Sequence, residues 1–73
     1  MAYMRIKELR LERGLGQADL ARCMGVFQSA VSNWETENAL PRARDLPLLA
    51  QVLGVGIDDL YTEEARAVRP TAS

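Results

Sequence analysis

The sequence predicts a small all-α domain, a compact bundle of five short helices, and three observations carry that prediction. Apolar residues recur at three- and four-residue spacing in successive stretches, the pattern of one helix face. Glycines stand where those stretches end, at Gly14, Gly25 and Gly54. No stretch shows the strict apolar–polar alternation of a half-buried strand. The 73 residues fit one domain. A chain of that size buries roughly 60% of the surface its unfolded form exposes, enough for one core and too little for a deep substrate cleft.

Residues 4–13 read as the first helix, with Ile6, Leu9 and either Arg10 or Arg13 on one face. Gly14 stops it, and Leu15 folds back onto the core. Residues 17–24 form the second helix. Leu20, Ala21 and Met24 point inward, and Gln17, Asp19, Arg22 and Cys23 point outward. After Gly25 and a short Val26-Phe27 connection, residues 28–36 form the third. Its inner set is Ala30, Val31 and Trp34; its outer set is Gln28, Ser29, Ser32, Asn33 and Thr36. A loop with Asn38 and Pro41 leads to a fourth helix, from Asp45 as N-cap to Leu53, with Leu46, Leu49, Ala50 and Leu53 inside. Pro47 fits only in its first turn, where the missing N–H has no helical partner. Gly54-Val55-Gly56 breaks the chain, and Ile57 and Leu60 anchor a short fifth helix that ends at Tyr61. The domain therefore spans 1–62, and the polar, alanine-rich segment 63–73 is expected to be a flexible C-terminal tail.

Composition narrows the function. Hydrophobic residues at 48% and charged residues at 26% suit a folded soluble domain rather than a disordered one. No apolar run approaches the ~20 residues that span a bilayer, and the N-terminus lacks the apolar stretch of a secretory signal; a cytoplasmic location is expected. Cys23 is the single cysteine and histidine is absent. An internal disulfide, the common zinc ligand sets and the Ser-His or Cys-His catalytic pairs are therefore out of reach of this chain. Asp58 and Asp59 are adjacent, so they diverge on a helix and make no catalytic pair. No enzyme activity, metal, cofactor or small-molecule effector is expected.

The net charge is −1, against the usual footprint of a nucleic-acid-binding domain. Its distribution softens the objection. Residues 1–44 carry seven Arg or Lys against five Asp or Glu, and residues 45–73 carry two against five. One end of the molecule is thus mildly basic and the other acidic.

The informative stretch is Gln17-Ala18-Asp19-Leu20-Ala21-Arg22-Cys23-Met24-Gly25-Val26, followed by Gln28-Ser29-Ala30-Val31-Ser32-Asn33-Trp34-Glu35. Two short helices joined by a tight, glycine-containing turn are the pattern of a helix-turn-helix. Ala21 is small enough for the helices to cross closely, and Gly25 takes the positive φ that ends the second helix sharply. Val26, Val31 and Trp34 pin the pair to the rest of the core. The outer face of the third helix then offers Gln, Ser and Asn, side chains that hydrogen-bond base edges in a major groove.

Residues 4–61 resemble the lambda-repressor-like family, the phage repressor and Cro type also called XRE. The supporting residues are Leu9-Arg10, Gly14-Leu15, Gln17, Leu20-Ala21, Gly25-Val26, Val31-Ser32, Trp34-Glu35, Pro41, Leu46, Leu49-Ala50, Leu53-Gly54-Val55 and Leu60. The resemblance implies base contacts from Gln28, Ser29, Ser32 and Asn33. It implies backbone contacts from Gln17, Thr36, Asn38, Arg42 and Arg44, with Gln17 also buttressing the start of the third helix. Arg10 and Glu35 match an internal ion pair between the first and third helices. The resemblance also implies a homodimer built around the fifth helix, where Val52, Val55, Ile57 and Tyr61 are apolar candidates. Two recognition helices about 34 Å apart would match a pseudo-palindromic operator.

The sequence departs from the family pattern at three N-caps, where Gly16, Phe27 and Gly56 stand in place of the usual Ser or Thr. Phe27 is the odd one, because Gly costs a cap only a few tenths of a kcal/mol. At the edge of the groove its ring is placed to meet a thymine methyl or a deoxyribose; packing as a satellite of the core is the alternative. The third helix carries no Arg or Lys, so specificity leans on A·T contacts and DNA shape. The expected function is a sequence-specific double-stranded DNA-binding regulator, a repressor in its simplest form. The alternative is a protein-interaction module such as an antitoxin or anti-repressor.

Overall fold

A computed structural model describes residues 3–68. The elements in chain order are α1 (Ile6–Glu12), α2 (Gln17–Met24), α3 (Gln28–Thr36), a 3-10 turn (Ala43–Asp45), α4 (Leu46–Leu53), a second 3-10 turn (Ile57–Leu60) and α5 (Glu63–Val68). The fold is all-helical among the described residues, apart from an isolated antiparallel bridge between Met4 and Tyr61. None of the described helices is long and apolar enough to cross a membrane.

The inward residues of the sequence pattern form one core. Ile6 and Leu9 of α1, Leu20, Ala21 and Met24 of α2, Val31 and Trp34 of α3, Leu49, Ala50 and Leu53 of α4, and Leu60 are all buried. Each large aliphatic side chain so placed stabilises the fold by roughly 1.5–3 kcal/mol relative to exposure. The ambiguity on α1 resolves in favour of Arg10, which is buried while Arg13 is exposed.

Three helices end by one device. Gly14, Gly25 and Gly54 take φ of 70°, 69° and 73°. The amide after each reverses onto a carbonyl five residues back: Leu15 to Arg10, Val26 to Ala21 and Val55 to Ala50, each at 3.0 Å. This is the Schellman geometry. It satisfies carbonyls that the helix leaves open and tucks an apolar residue under the last turn. Three helical starts share a device as well. The backbone N–H of Gly16, Arg42 and Gly56 donates to a carboxylate three residues on, from Asp19, Asp45 and Asp59, at 2.8, 3.3 and 3.2 Å. That is the acidic half of a capping box, working where the glycines have no side chain to supply the other half.

Four expectations need correction. The first helix starts at Ile6, not residue 4, because Arg5 N–H donates to the Leu60 carbonyl at 2.6 Å and Met4 pairs with Tyr61. Asp45 does not cap α4 with its side chain; its carboxylate serves the 3-10 turn before it, and α4 follows with Pro47 in its first turn. The fifth helix is a single 3-10 turn, in which Leu60 is fully buried but Ile57 is 42% exposed and anchors nothing. From residue 63, where a tail was expected, the chain continues as α5, with Ala65 buried and its N–H donating to Thr62 Oγ1 at 3.1 Å. The rest of that segment, residues 69–73, lies outside the described residues.

Candidate nucleic-acid interface

α2 and α3 pack against each other more extensively than any other pair of helices. Ala21 is buried at their crossing and the αL glycine at 25 turns the chain between them. The nine residues of α3 divide into two faces. Val31 and Trp34 are buried and Ala30 is half-buried. Gln28, Ser29 and Asn33 are exposed on the other side, with Ser32 half-buried between them.

Behind that outer face lies a buried polar brace. Arg10 donates through Nε and Nη2 to both oxygens of Glu35, at 2.6 and 3.1 Å, and through Nη1 to the Leu15 carbonyl at 2.8 Å. The two side chains retain only 8% and 4% exposure. Burial opposes the charged form of Glu35. Hydrogen bonds from Arg10 and Gln17, and the positive charges of Arg10 and Lys7, outweigh it and hold the carboxyl below its ordinary range. The hydrogen bond to Glu35 in turn raises Arg10, against the opposing effect of burial.

The brace extends to the surface through two glutamines. Gln17 Nε2 donates to Glu35 Oε1 at 3.0 Å, which fixes its amide with Oε1 outward. Gln28 Nε2 donates to that oxygen at 3.4 Å. Gln28 is left with a carbonyl oxygen and one N–H, an adjacent acceptor and donor. The buried ion pair of α1 and α3 is therefore wired to the first residue of α3's exposed face.

The other expected site residues are distributed unevenly. Asn38, Arg42 and Arg44 are exposed around the loop after α3. The Thr36 hydroxyl donates instead to the Ser32 carbonyl at 3.0 Å, within its own helix, so its proton is occupied. Phe27 is 85% exposed at the N-cap of α3, in extended backbone with φ −75° and ψ 152°, which excludes a satellite core role. Of the apolar set expected at a dimer interface, Val52, Val55 and Tyr61 are half-buried against the core. Tyr61 also packs edge-on to Tyr3, with ring centroids 5.5 Å apart. Ile57 alone of the four is exposed, and Leu48, which the helical pattern did not single out, is exposed to the same 42%. Leu40, 52% exposed and two residues before Arg42, carries no periodic signal in the sequence because it stands alone in a loop.

Comparison with known proteins agrees with this geometry. The sequence profile of the family described as Helix-turn-helix matches residues 6–60. Over 66 residues the chain is 29% identical to the HTH-type transcriptional regulator PuuR of Escherichia coli (strain K12), covering 90% of this chain and 36% of that protein. The same figures hold for PuuR of Shigella flexneri. The chain thus spans about a third of the length of the curated relatives it matches. Among solved structures, SinR, a master regulator for biofilm formation in complex with DNA, superposes with a TM-score of 0.70 at 33% identity, covering 77% of this chain and 90% of that chain. The SinR protein/SinI protein complex gives 0.76 at 30% identity, covering 94% and 68%. A hypothetical transcription factor, NHTF from Neisseria, gives 0.73 at 25% identity, covering 85% and 71%.

Proposed function

This chain belongs to the lambda-repressor-like helix-turn-helix family of transcription regulators, and from that premise we propose that it binds double-stranded DNA sequence-specifically through the outer face of α3. The observation that carries the reading is the division of α3, whose inner face is locked into the core while Gln28, Ser29 and Asn33 stand exposed beside one another. Gln28 presents the acceptor–donor pair that matches adenine N6 and N7, Ser29, Ser32 and Asn33 meet neighbouring base edges, and Phe27 flanks them. Gln17, Asn38, Arg42 and Arg44 hold the phosphates on either side. Gln17 keeps one N–H for that purpose after serving Glu35.

The protein acts as a homodimer on a pseudo-palindromic operator, as a repressor that blocks access to the promoter, in the cytoplasm and without enzyme activity or a cofactor. The dimer surface centres on Ile57 and the edge of Val52, Val55 and Tyr61. The DNA-binding unit lies within residues 1–62, and α5 continues directly from it.

Selection of bound sequences from a random duplex pool, repeated at two salt concentrations, tests the reading. Recovery of an inverted repeat, with affinity falling as salt rises, is the expected result. No enrichment, or binding indifferent to salt, transfers the function to protein interaction, the role for which a near-neutral domain is equally suited.

A further inference from the structure

Phe27 is the most exposed large apolar side chain among the described residues. It lines an open groove between the start of α3 and the chain that follows it, together with Leu40, Asn33, Arg42, Arg44 and Asp45. The fold has no use for this ring. It buries almost none of its surface, and it occupies an N-cap whose backbone geometry suits Ser or Thr, with no side-chain hydrogen bond to the helix. An aromatic ring held in water at the position from which a recognition helix reaches bases is explained by what it meets there.

The groove's own chemistry selects the partner. Two guanidinium groups on the loop suit the phosphates of one strand, and a strand so held turns its base edges toward the apolar pair. The one apolar group that base edges offer in the major groove is the 5-methyl of thymine. Resting on the DNA-binding reading above, we infer that Phe27, with Leu40 lining the same groove, reads the 5-methyl group of a thymine. Contact with deoxyribose alone would be the same for every nucleotide and would give no sequence preference.

The test uses the duplex recovered from the random pool by the wild-type chain. Each thymine is replaced in turn by deoxyuridine, which removes the methyl and keeps every hydrogen bond, and binding is followed by fluorescence anisotropy at fixed salt. The expected result is one thymine in each half-site whose demethylation weakens binding about four-fold, the effect of one buried methyl. The Phe27→Ser variant binds the thymine and deoxyuridine duplexes alike, and its melting temperature does not fall. Wild-type indifference to deoxyuridine at every position overturns the inference, as does a Phe27→Ser variant that keeps the wild-type sensitivity. Both results leave DNA binding standing, whereas failure to recover any duplex removes the DNA reading itself.

Discussion

The two faces of α3 sit a few ångströms apart on one short helix and are built to opposite rules. The inner face is apolar, buried and backed by the Arg10–Glu35 pair, where a loss of one partner strands a charge. The outer face is polar, solvated and makes few contacts within the molecule. The difference teaches that stability and recognition are carried by different residues here, which meet through the Gln17–Gln28 link.

The largest effect belongs to the inner face. Glu35→Ala leaves Arg10 buried without its carboxylate and is expected to cost about 3–5 kcal/mol, measured by urea denaturation. For a domain of this size that is a large share of the total stability. Arg10→Ala does the same from the other side. Replacing both with Met and Leu removes the stranded charge and recovers most of the loss.

Acid acts on the same pair. Glu35 is held below its ordinary, unfolded value, so its contribution is fully present above that unfolded value. The contribution is lost as the pH falls through the lower folded value. Melting temperatures recorded from pH 7 down to pH 3 should fall for the wild type. Glu35→Gln starts lower and falls less steeply over that acid range.

Phe27→Ser reverses the sign. Ser supplies the cap that α3 lacks and is expected to stabilise the fold by about 1 kcal/mol while DNA binding weakens. A loss of stability would place the ring in the core instead. Gly16→Ser should give only a few tenths of a kcal/mol, since the new Cβ stands 3.2 Å from Asp19 Oδ2, which already accepts from the Gly16 N–H and must shift to admit it. On the loop, Arg42→Ala and Arg44→Ala leave stability within about 0.5 kcal/mol. Each flattens the slope of log affinity against log salt by about one.

Much of the inner face was legible in the sequence. The 3–4 spacing of Ile6, Leu9, Leu20, Met24, Val31, Leu49 and Leu53 defined the core, and the glycines at 14, 25 and 54 marked three helix ends. The errors fall where backbone pairing between distant segments decides the outcome. Nothing local in residues 3–5 announces that they will pair with 60–62, which shortens the first helix. Ile57 looked like an anchor because apolar residues three apart suggest one face, yet a single 3-10 turn buries only Leu60. The exposure of Gln28, Ser29 and Asn33 on the outer side of α3 was legible from the polar stripe. The commitment of the Thr36 hydroxyl to Ser32 and the shared groove of Phe27 and Leu40 depend on rotamers and loop path, which no pattern encodes.

The most direct test of the division is Asn33→Ala, followed in parallel by chemical denaturation and by titration of the selected duplex. The account predicts unfolding free energy within about 0.5 kcal/mol of wild type, together with at least a roughly five-fold loss of affinity from a broken base contact of about 1–3 kcal/mol. Unchanged affinity, or a stability loss of the same size as the binding loss, would contradict it.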